Sequence, residues 1–187
     1  DGSVPVAGIM DETRARLAED AESAEAGSGF NAEHGLSSAG SVPYHFIHAA
    51  RRNIDVTAII LNNGIYGMTG GQAAPTTPMG IRTTTTPYGT VENTFNISRL
   101  VAASGASFVA CWTTAHPKQL TNSIKKAIRK KGFAFIEVFS QCPIQFGRKT
   151  GVGSAVQMLE DYKKRSISPK EAAKLSEEEL REKIVVG

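Results

Sequence analysis

The chain has 187 residues, 41% of them apolar and 21% charged, and its 21 basic and 18 acidic side chains leave a formal charge of +3. That length suits one globular domain with its own core; the mild charge argues against a nucleic-acid partner, and the longest apolar run, residues 56–61, is far short of the ~20 residues that span a bilayer. Two cysteines make no disulfide framework, and the first residues lack the basic-then-apolar order of a signal peptide, so a soluble cytoplasmic protein without membrane contact is expected.

Residues 1–43 read as a divergent, partly flexible segment. Alanine, glutamate and arginine over 11–26 favour helix, yet Leu17 is the one large apolar side chain there to bury. Gly27-Ser28-Gly29 breaks that helix, and residues 35–43 are again rich in glycine and serine.

Residues 44–153 carry the sharper signals. Pro43 opens a predicted helix through Arg52. The β-branched run 54–61 (IDVTAIIL) is expected to be a strand buried on both faces, and Asn62-Asn63-Gly64 turns the chain. Residues 67–89, rich in threonine, proline and glycine, show no periodicity; a loop of that length is usually functional or disordered. A helix over 95–104 and a strand over 107–112 follow. Pro117 starts a helix through Lys131, with Leu120, Ile124, Ala127 and Ile128 on one face, and Gly132 stops it before a strand at 133–139. Strands alternating with helices predict an α/β fold, a mostly parallel sheet with helices on both faces. Ligands in such sheets bind at the carboxyl ends of the strands, where the loops after Leu61 and Phe139 lie.

The tail, 154–187, is expected to be mostly helical. A helix over 156–164 precedes two short ones, announced by Ser168-Pro169-Lys170-Glu171 and Ser176-Glu177-Glu178-Glu179, both of capping-box pattern. The apolar Ile184-Val185-Val186 suggests docking or truncation.

The stretch richest in chemistry runs from Asn62 to Gln72. An asparagine at a strand's carboxyl end offers a neutral amide oxygen that, with nearby backbone carbonyls, suits a hard Mg²⁺ ion sharing a ligand's phosphate oxygens. Gly67, Gly70 and Gly71 would let backbone amides approach a diphosphate. Taken alone, Asn-Asn-Gly is more often an ordinary turn. Cys142, after the third strand, reads on its own as a core or loop thiol. Lys125, Lys126, Arg129, Lys130 and Lys131 form either an anion-binding face or the solvated side of an amphipathic helix, and the second reading is preferred, with no aromatic platform beside them. His45 and His48 stand three apart on a helix without a third ligand, and His34 and His116 have no evident partner.

The strings His45-Phe46-Ile47-His48-Ala49-Ala50-Arg51-Arg52-Asn53 and Leu61-Asn62-Asn63-Gly64-Ile65-Tyr66-Gly67-Met68-Thr69-Gly70-Gly71-Gln72 resemble the β subunits of 2-oxoacid:ferredoxin oxidoreductases, most of all the 2-oxoglutarate type. The likeness continues through Pro75-Thr76-Thr77-Pro78, Thr83-Thr84-Thr85-Thr86-Pro87-Tyr88-Gly89 and Ser140-Gln141-Cys142-Pro143, and covers about residues 45–187. It implies a thiamine-diphosphate-binding fold. In that family an aspartate of a Gly-Asp-Gly motif, a later asparagine and a backbone carbonyl hold Mg²⁺; the last two map to the Asn63 side chain and the Ile65 carbonyl. Gly67, Met68 and Thr69 would lie against the cofactor. The implied reaction is oxidative decarboxylation of a 2-oxoacid to acyl-CoA, with electrons passed through iron–sulfur clusters to ferredoxin, on a cofactor shared with an α subunit. Cys142 matches one of four cysteines that hold a [4Fe–4S] cluster in the family, an incomplete set here. No Gly-Asp-Gly precedes Asn63 at the family's spacing; Asp1-Gly2 is one candidate remnant, and replacement of the N-terminal part is the other reading. A non-catalytic homologue that docks a partner subunit is the alternative.

Overall fold

Three parallel strands in the order β1-β3-β2 organise the molecule: β1 (Thr57–Asn62), β2 (Phe108–Thr113) and β3 (Ala134–Phe139). The computed structural model describes residues 42–187, with side chains from Phe46 onward, so the expectations for the segment before residue 42 lie outside the described residues. Helix α1 (Val42–Arg51) leads into β1, α2 (Ile97–Ala103) precedes β2, and α3 (Pro117–Arg129) connects β2 to β3. Each lies within a few residues of its predicted place, because β-branched runs and a proline-started, glycine-stopped helix are strong local signals.

The central strand β3, apolar apart from Glu137, is buried on both faces and divides the core in two. Phe133 and Phe135 turn toward α1 and α2, packing with Ala49, Ala50, Ile54, Ile60, Ile97 and Val101. The Phe46 ring meets both edge-on, at 6.3 and 5.9 Å between centroids. Ala134, Ile136 and Val138 face the other way, against Ala110, Ala127, Trp112, Leu120 and Ile124. Helices therefore cover both faces of a parallel sheet, as predicted.

Two expectations change. The run 54–61 is not buried on both sides: Ile59 and Leu61 are 39% and 41% exposed. Helix α3 packs across β2 and β3, leaving that face of β1 without a helix among the described residues. Ile128 is 69% exposed, one residue (~100°) round the helix from Ala127 and at the flank of the buried stripe.

The tail is helical where the serines foretold. Both predicted capping boxes form, opening short helices α6 (Pro169–Ala172) and α7 (Glu177–Leu180), and a third, Ser154 with Gln157, opens α5 (Ala155–Arg165). Ser154→Ala removes a side-chain acceptor from the first turn of α5 and should cost ~1 kcal/mol in urea unfolding. The Ile184-Val185-Val186 run does dock. β5 (Ile184–Val185) pairs in parallel with β4 (Ser166–Ile167), and Gly187 exchanges two 3.0 Å backbone hydrogen bonds with Cys111 on the outer edge of β2. Tyr162 on α5 donates to the Ser140 carbonyl at 2.9 Å, tying the tail to the end of β3.

Candidate functional site

β1 and β3 are neighbours, so the loops leaving their carboxyl ends emerge side by side, joined where Ser140 N–H donates to the Asn62 carbonyl at 2.9 Å. At this point Asn62 and Asn63 build two successive turns. The Asn62 Oδ1 accepts from Gly64 N–H at 3.0 Å, and the Asn63 Oδ1 accepts from Ile65 N–H at 3.1 Å. Because side chains alternate along a strand, Asn62 points into the α1/α2 face, where it is buried, and Asn63 remains half-exposed.

Beyond Ile65 the chain forms a tight hairpin. Tyr66 and Gln72 bridge in antiparallel fashion, and Gly71 N–H donates to the Tyr66 carbonyl at 2.8 Å. The tip, Met68 and Thr69, is open to solvent, with Met68 80% exposed. Thr69 Oγ1 lies 3.2 Å from Gln72 Oε1 and 3.5 Å from the Tyr66 carbonyl oxygen. The loop after β3 braces this hairpin from below. A π-helical turn (Pro143–Gly147) and the short α4 (Arg148–Thr150) bring the Phe146 ring against Gly64, while the Lys149 amine donates to the Gly70 carbonyl. A Cβ added at Gly71, whose φ is +85°, would stand 2.6 Å from Lys149 Nζ and 2.9 Å from Gln145 Oε1. Gly71→Ala is accordingly expected to cost ~1–2 kcal/mol, mostly from the left-handed backbone, read as a lower urea midpoint.

The threonine-rich segment is an ordered loop whose hydroxyls replace secondary structure as partners for the backbone. Thr77 Oγ1 donates to the Gly64 carbonyl and Thr90 Oγ1 to the Pro78 carbonyl, both at 2.7 Å. Thr85 Oγ1 accepts from Ala73 N–H at 3.0 Å, and Thr84 N–H reaches the Gly71 carbonyl at 2.9 Å. The loop is thereby stitched to the hairpin, and a cavity of about 370 Å³ opens between Tyr66, Ala74, Thr85, Thr86 and Thr90.

Asn63, Ile65, Gly67, Met68 and Thr69 are thus gathered at one place, the carboxyl end of β1, with Ile65 itself buried at 1% exposure. Cys142 stands at the start of the neighbouring π-helical turn, half-buried, its carbonyl accepting from Phe146 and Gly147 N–H. Cys111 lies apart, within β2. Burial, and after it the nearby Glu137, push its thiol far above the ordinary value of 9.0. A thiol held protonated by folding favours the native state fully below pH 9 and loses that contribution as the pH rises beyond it. Native Cys111 should therefore resist iodoacetamide at pH 8 and react once urea unfolds the chain, as peptide mass mapping would read.

Of the remaining candidates, His34 and the His45 side chain lie outside the described residues, and the others are accounted for by structure. Lys125, Lys126, Arg129, Lys130 and Lys131 are all exposed, and Lys131 pairs with Asp55 at 3.3 Å in solvent, which is the solvated face expected of this helix. His48 is exposed, and His116 does have a partner: its Nδ1 lies 2.9 Å from Thr113 Oγ1. No group of three His, Cys, Asp or Glu residues suited to a metal occurs among the described residues. The oxygens at hand fit Mg²⁺ in kind, an amide oxygen with a turn carbonyl beside it, both hard and neutral. At Gly71 the space beside the backbone is taken by Lys149 and Gln145, and its N–H is bonded to the Tyr66 carbonyl, so this glycine serves the hairpin's own packing.

Sequence reasoning overlooked three residues that shape this site. Glu137 lies in the middle of β3, 2% exposed, and receives hydrogen bonds from Asn62 and Ser98. Its signal was an acidic residue inside the apolar string FAFIEVF. Gln145 and Lys149 gave no local signal, since only the pairing of β1 with β3 brings them to the hairpin.

The family described as thiamine pyrophosphate enzyme, C-terminal TPP binding domain, matches residues 35–138. The 2-oxoglutarate synthase subunit KorB of Methanocaldococcus jannaschii is 57% identical over 143 residues, 76% of this chain and 53% of that protein. The 2-oxoacid:ferredoxin oxidoreductase subunit beta of Saccharolobus solfataricus is 44% identical over 99 residues, 53% of this chain and 32% of that one. Among solved structures, the 2-oxoglutarate:ferredoxin oxidoreductase from Magnetococcus marinus, with 2-oxoglutarate, coenzyme A and succinyl-CoA bound, superposes with a TM-score of 0.61 at 32% identity. That match covers 72% of this chain and 43% of the other. The chain spans about half the length of the curated KorB relatives it matches.

Proposed function

Since this chain belongs to the thiamine pyrophosphate enzyme family, C-terminal TPP binding domain, we propose that it serves as the cofactor-binding part of the β subunit of a 2-oxoacid:ferredoxin oxidoreductase, with 2-oxoglutarate as the substrate. The observation that carries the reading is the double asparagine turn and glycine hairpin at the carboxyl end of β1, where an open parallel sheet places its ligands.

The Asn63 amide oxygen and the Ile65 carbonyl would hold Mg²⁺, and Gly67, Met68 and Thr69 would lie along the diphosphate. Bound thiamine diphosphate supplies the carbanion chemistry by which a 2-oxoacid loses CO₂. The chain's own task is placement. Tyr66–Gln72 pairing closes the hairpin, Lys149 holds the Gly70 carbonyl, and Thr77 anchors Gly64. An α subunit would complete the cofactor site, coenzyme A would accept the acyl group, and ferredoxin would take the electrons. Cys142 would contribute one thiolate to an iron–sulfur cluster whose other ligands are not in this sequence, since its only other cysteine, Cys111, lies within β2. A cytoplasmic setting suits such thiolate chemistry, and no described helix is long and apolar enough to cross a membrane.

The test is reconstitution. Mixed with the α subunit of a KorB-type enzyme, thiamine diphosphate, Mg²⁺ and coenzyme A, the chain should support reduction of a ferredoxin or a viologen dye that depends on 2-oxoglutarate. Absence of any 2-oxoacid-dependent reduction, with the two chains shown to associate, would contradict the assignment.

A further inference from the structure

A carboxylate at the centre of a sheet is expensive unless every lone pair is used. Glu137 is 2% exposed, and its partners among the described residues are neutral donors. Its Oε1 accepts from the buried Asn62 Nδ2 at 2.8 Å. Its Oε2 accepts from Ser98 Oγ at 2.5 Å and from Ser98 N–H at 3.3 Å, in the first turn of α2. Packing alone would place an apolar residue here, as at Phe135 and Ile136 on the same strand.

The arrangement has a direction. A carboxylate only accepts hydrogen bonds, so the Asn62 amide must turn its NH₂ toward Glu137 and its oxygen away. That oxygen is the one that accepts from Gly64 N–H at 3.0 Å and starts the first turn. The second turn, with Asn63 Oδ1 on Ile65 N–H, begins one residue later on the same backbone. Glu137 thereby fixes, through Asn62, the path of the segment that presents Asn63 and the Ile65 carbonyl. We infer that Glu137 is a positioning residue for the cofactor turn, acting through the Asn62 amide to set the affinity for Mg²⁺ and thiamine diphosphate. The inference rests on the proposed function for what the turn binds; the hydrogen-bond relay itself does not.

The chemistry of the pair supplies its own test, an exchange of acid and amide. In Glu137→Gln the new NH₂ faces either the Asn62 NH₂, a donor, or Ser98, whose hydroxyl can turn to accept while its backbone N–H loses its acceptor. In both cases the relay loses one partner and the carboxylate charge that polarised the Asn62 amide. In the double variant Glu137→Gln with Asn62→Asp the complementarity returns. The introduced glutamine then donates its NH₂ to the introduced aspartate, while its oxygen accepts from Ser98. The aspartate still accepts from Gly64, and the net charge is unchanged. Two readouts are taken on the full chain: exchange of the Gly64 amide with solvent deuterium, and the dissociation constant for thiamine diphosphate in Mg²⁺ by calorimetry. The single variant should exchange Gly64 faster and bind roughly 10- to 100-fold more weakly, as losses behind a metal ligand do. The double variant should recover most of both. A single variant with unchanged Gly64 exchange, or with parental affinity, overturns the inference, as does a double variant no better than the single. Should the parent chain itself show no affinity, the cofactor reading is what fails, and Gly64 exchange still decides for or against the relay.

Discussion

Asn63→Ala is expected to abolish the stabilisation that thiamine diphosphate and Mg²⁺ jointly confer on the chain. The substitution removes the oxygen that accepts from Ile65 N–H at 3.1 Å and that, under the proposed function, would also hold Mg²⁺. A ligand at a hundred times its dissociation constant raises stability by about 2.7 kcal/mol. For the variant at the same concentrations that gain should vanish. Loss of the turn hydrogen bond alone would cost only ~1 kcal/mol, and would do so without ligand as well. Asn63→Asp keeps an oxygen for both duties and separates them from the amide NH₂; it should retain a ligand-induced shift. Differential scanning fluorimetry of the three proteins, each with and without the ligand pair, reads the outcome.

Phe135→Ala should be the most damaging single change in the core. The ring is fully buried at the centre of β3, between the strands flanking it, and stacks edge-on with Phe46 at 5.9 Å. Its loss leaves a cavity under α1 and α2 that backbone paired on both sides cannot collapse to fill. About 3–5 kcal/mol is expected, a large share of the 5–15 kcal/mol that holds a domain of this kind together. Phe135→Leu, which keeps most of the volume, should cost far less. Urea unfolding followed by the far-ultraviolet signal distinguishes the two.

The parts legible from sequence were those set by local pattern. IDVTAIIL, SFVACW and FAFIEVF are runs that fit a pleated, buried surface and little else, and the serine-to-glutamate spacings in the tail formed their capping boxes residue for residue. What was misjudged depends on partners distant in sequence. Nothing in 54–61 reveals that α3 stops short of β1 and leaves Ile59 and Leu61 uncovered. The two-residue strands β4 and β5 are too short to show periodicity, and their pairing follows from how α5 turns the chain. The long loop has no periodic signal, yet Thr77, Thr85 and Thr90 order it through hydrogen bonds to backbone partners.

The site shows the same division. The string Asn62-Asn63-Gly64 placed the turn at the carboxyl end of β1, because turn chemistry is local, whereas the hairpin closed by Tyr66 and Gln72 was not foreseen. The groups behind it come from β3, α2, the π-helical turn and α4, between 36 and 87 residues away, and reach it only through the sheet register. The spans from Asn62 to Ser98 and to Lys149 mark those limits. Glu137 was nonetheless detectable in principle. A lone acid in an otherwise apolar strand has to be satisfied by something, and the nearest donor across β1 and β3 is Asn62.

The most direct test of the account is a thermal melt of the chain with thiamine diphosphate and Mg²⁺ added separately and together. A shift of several degrees that requires both is expected, because Asn63 and the Ile65 carbonyl would hold Mg²⁺ together with the cofactor's diphosphate, so that neither ligand alone would complete the site. Equal melting temperatures under all four conditions, persisting when the α subunit is bound, would contradict it.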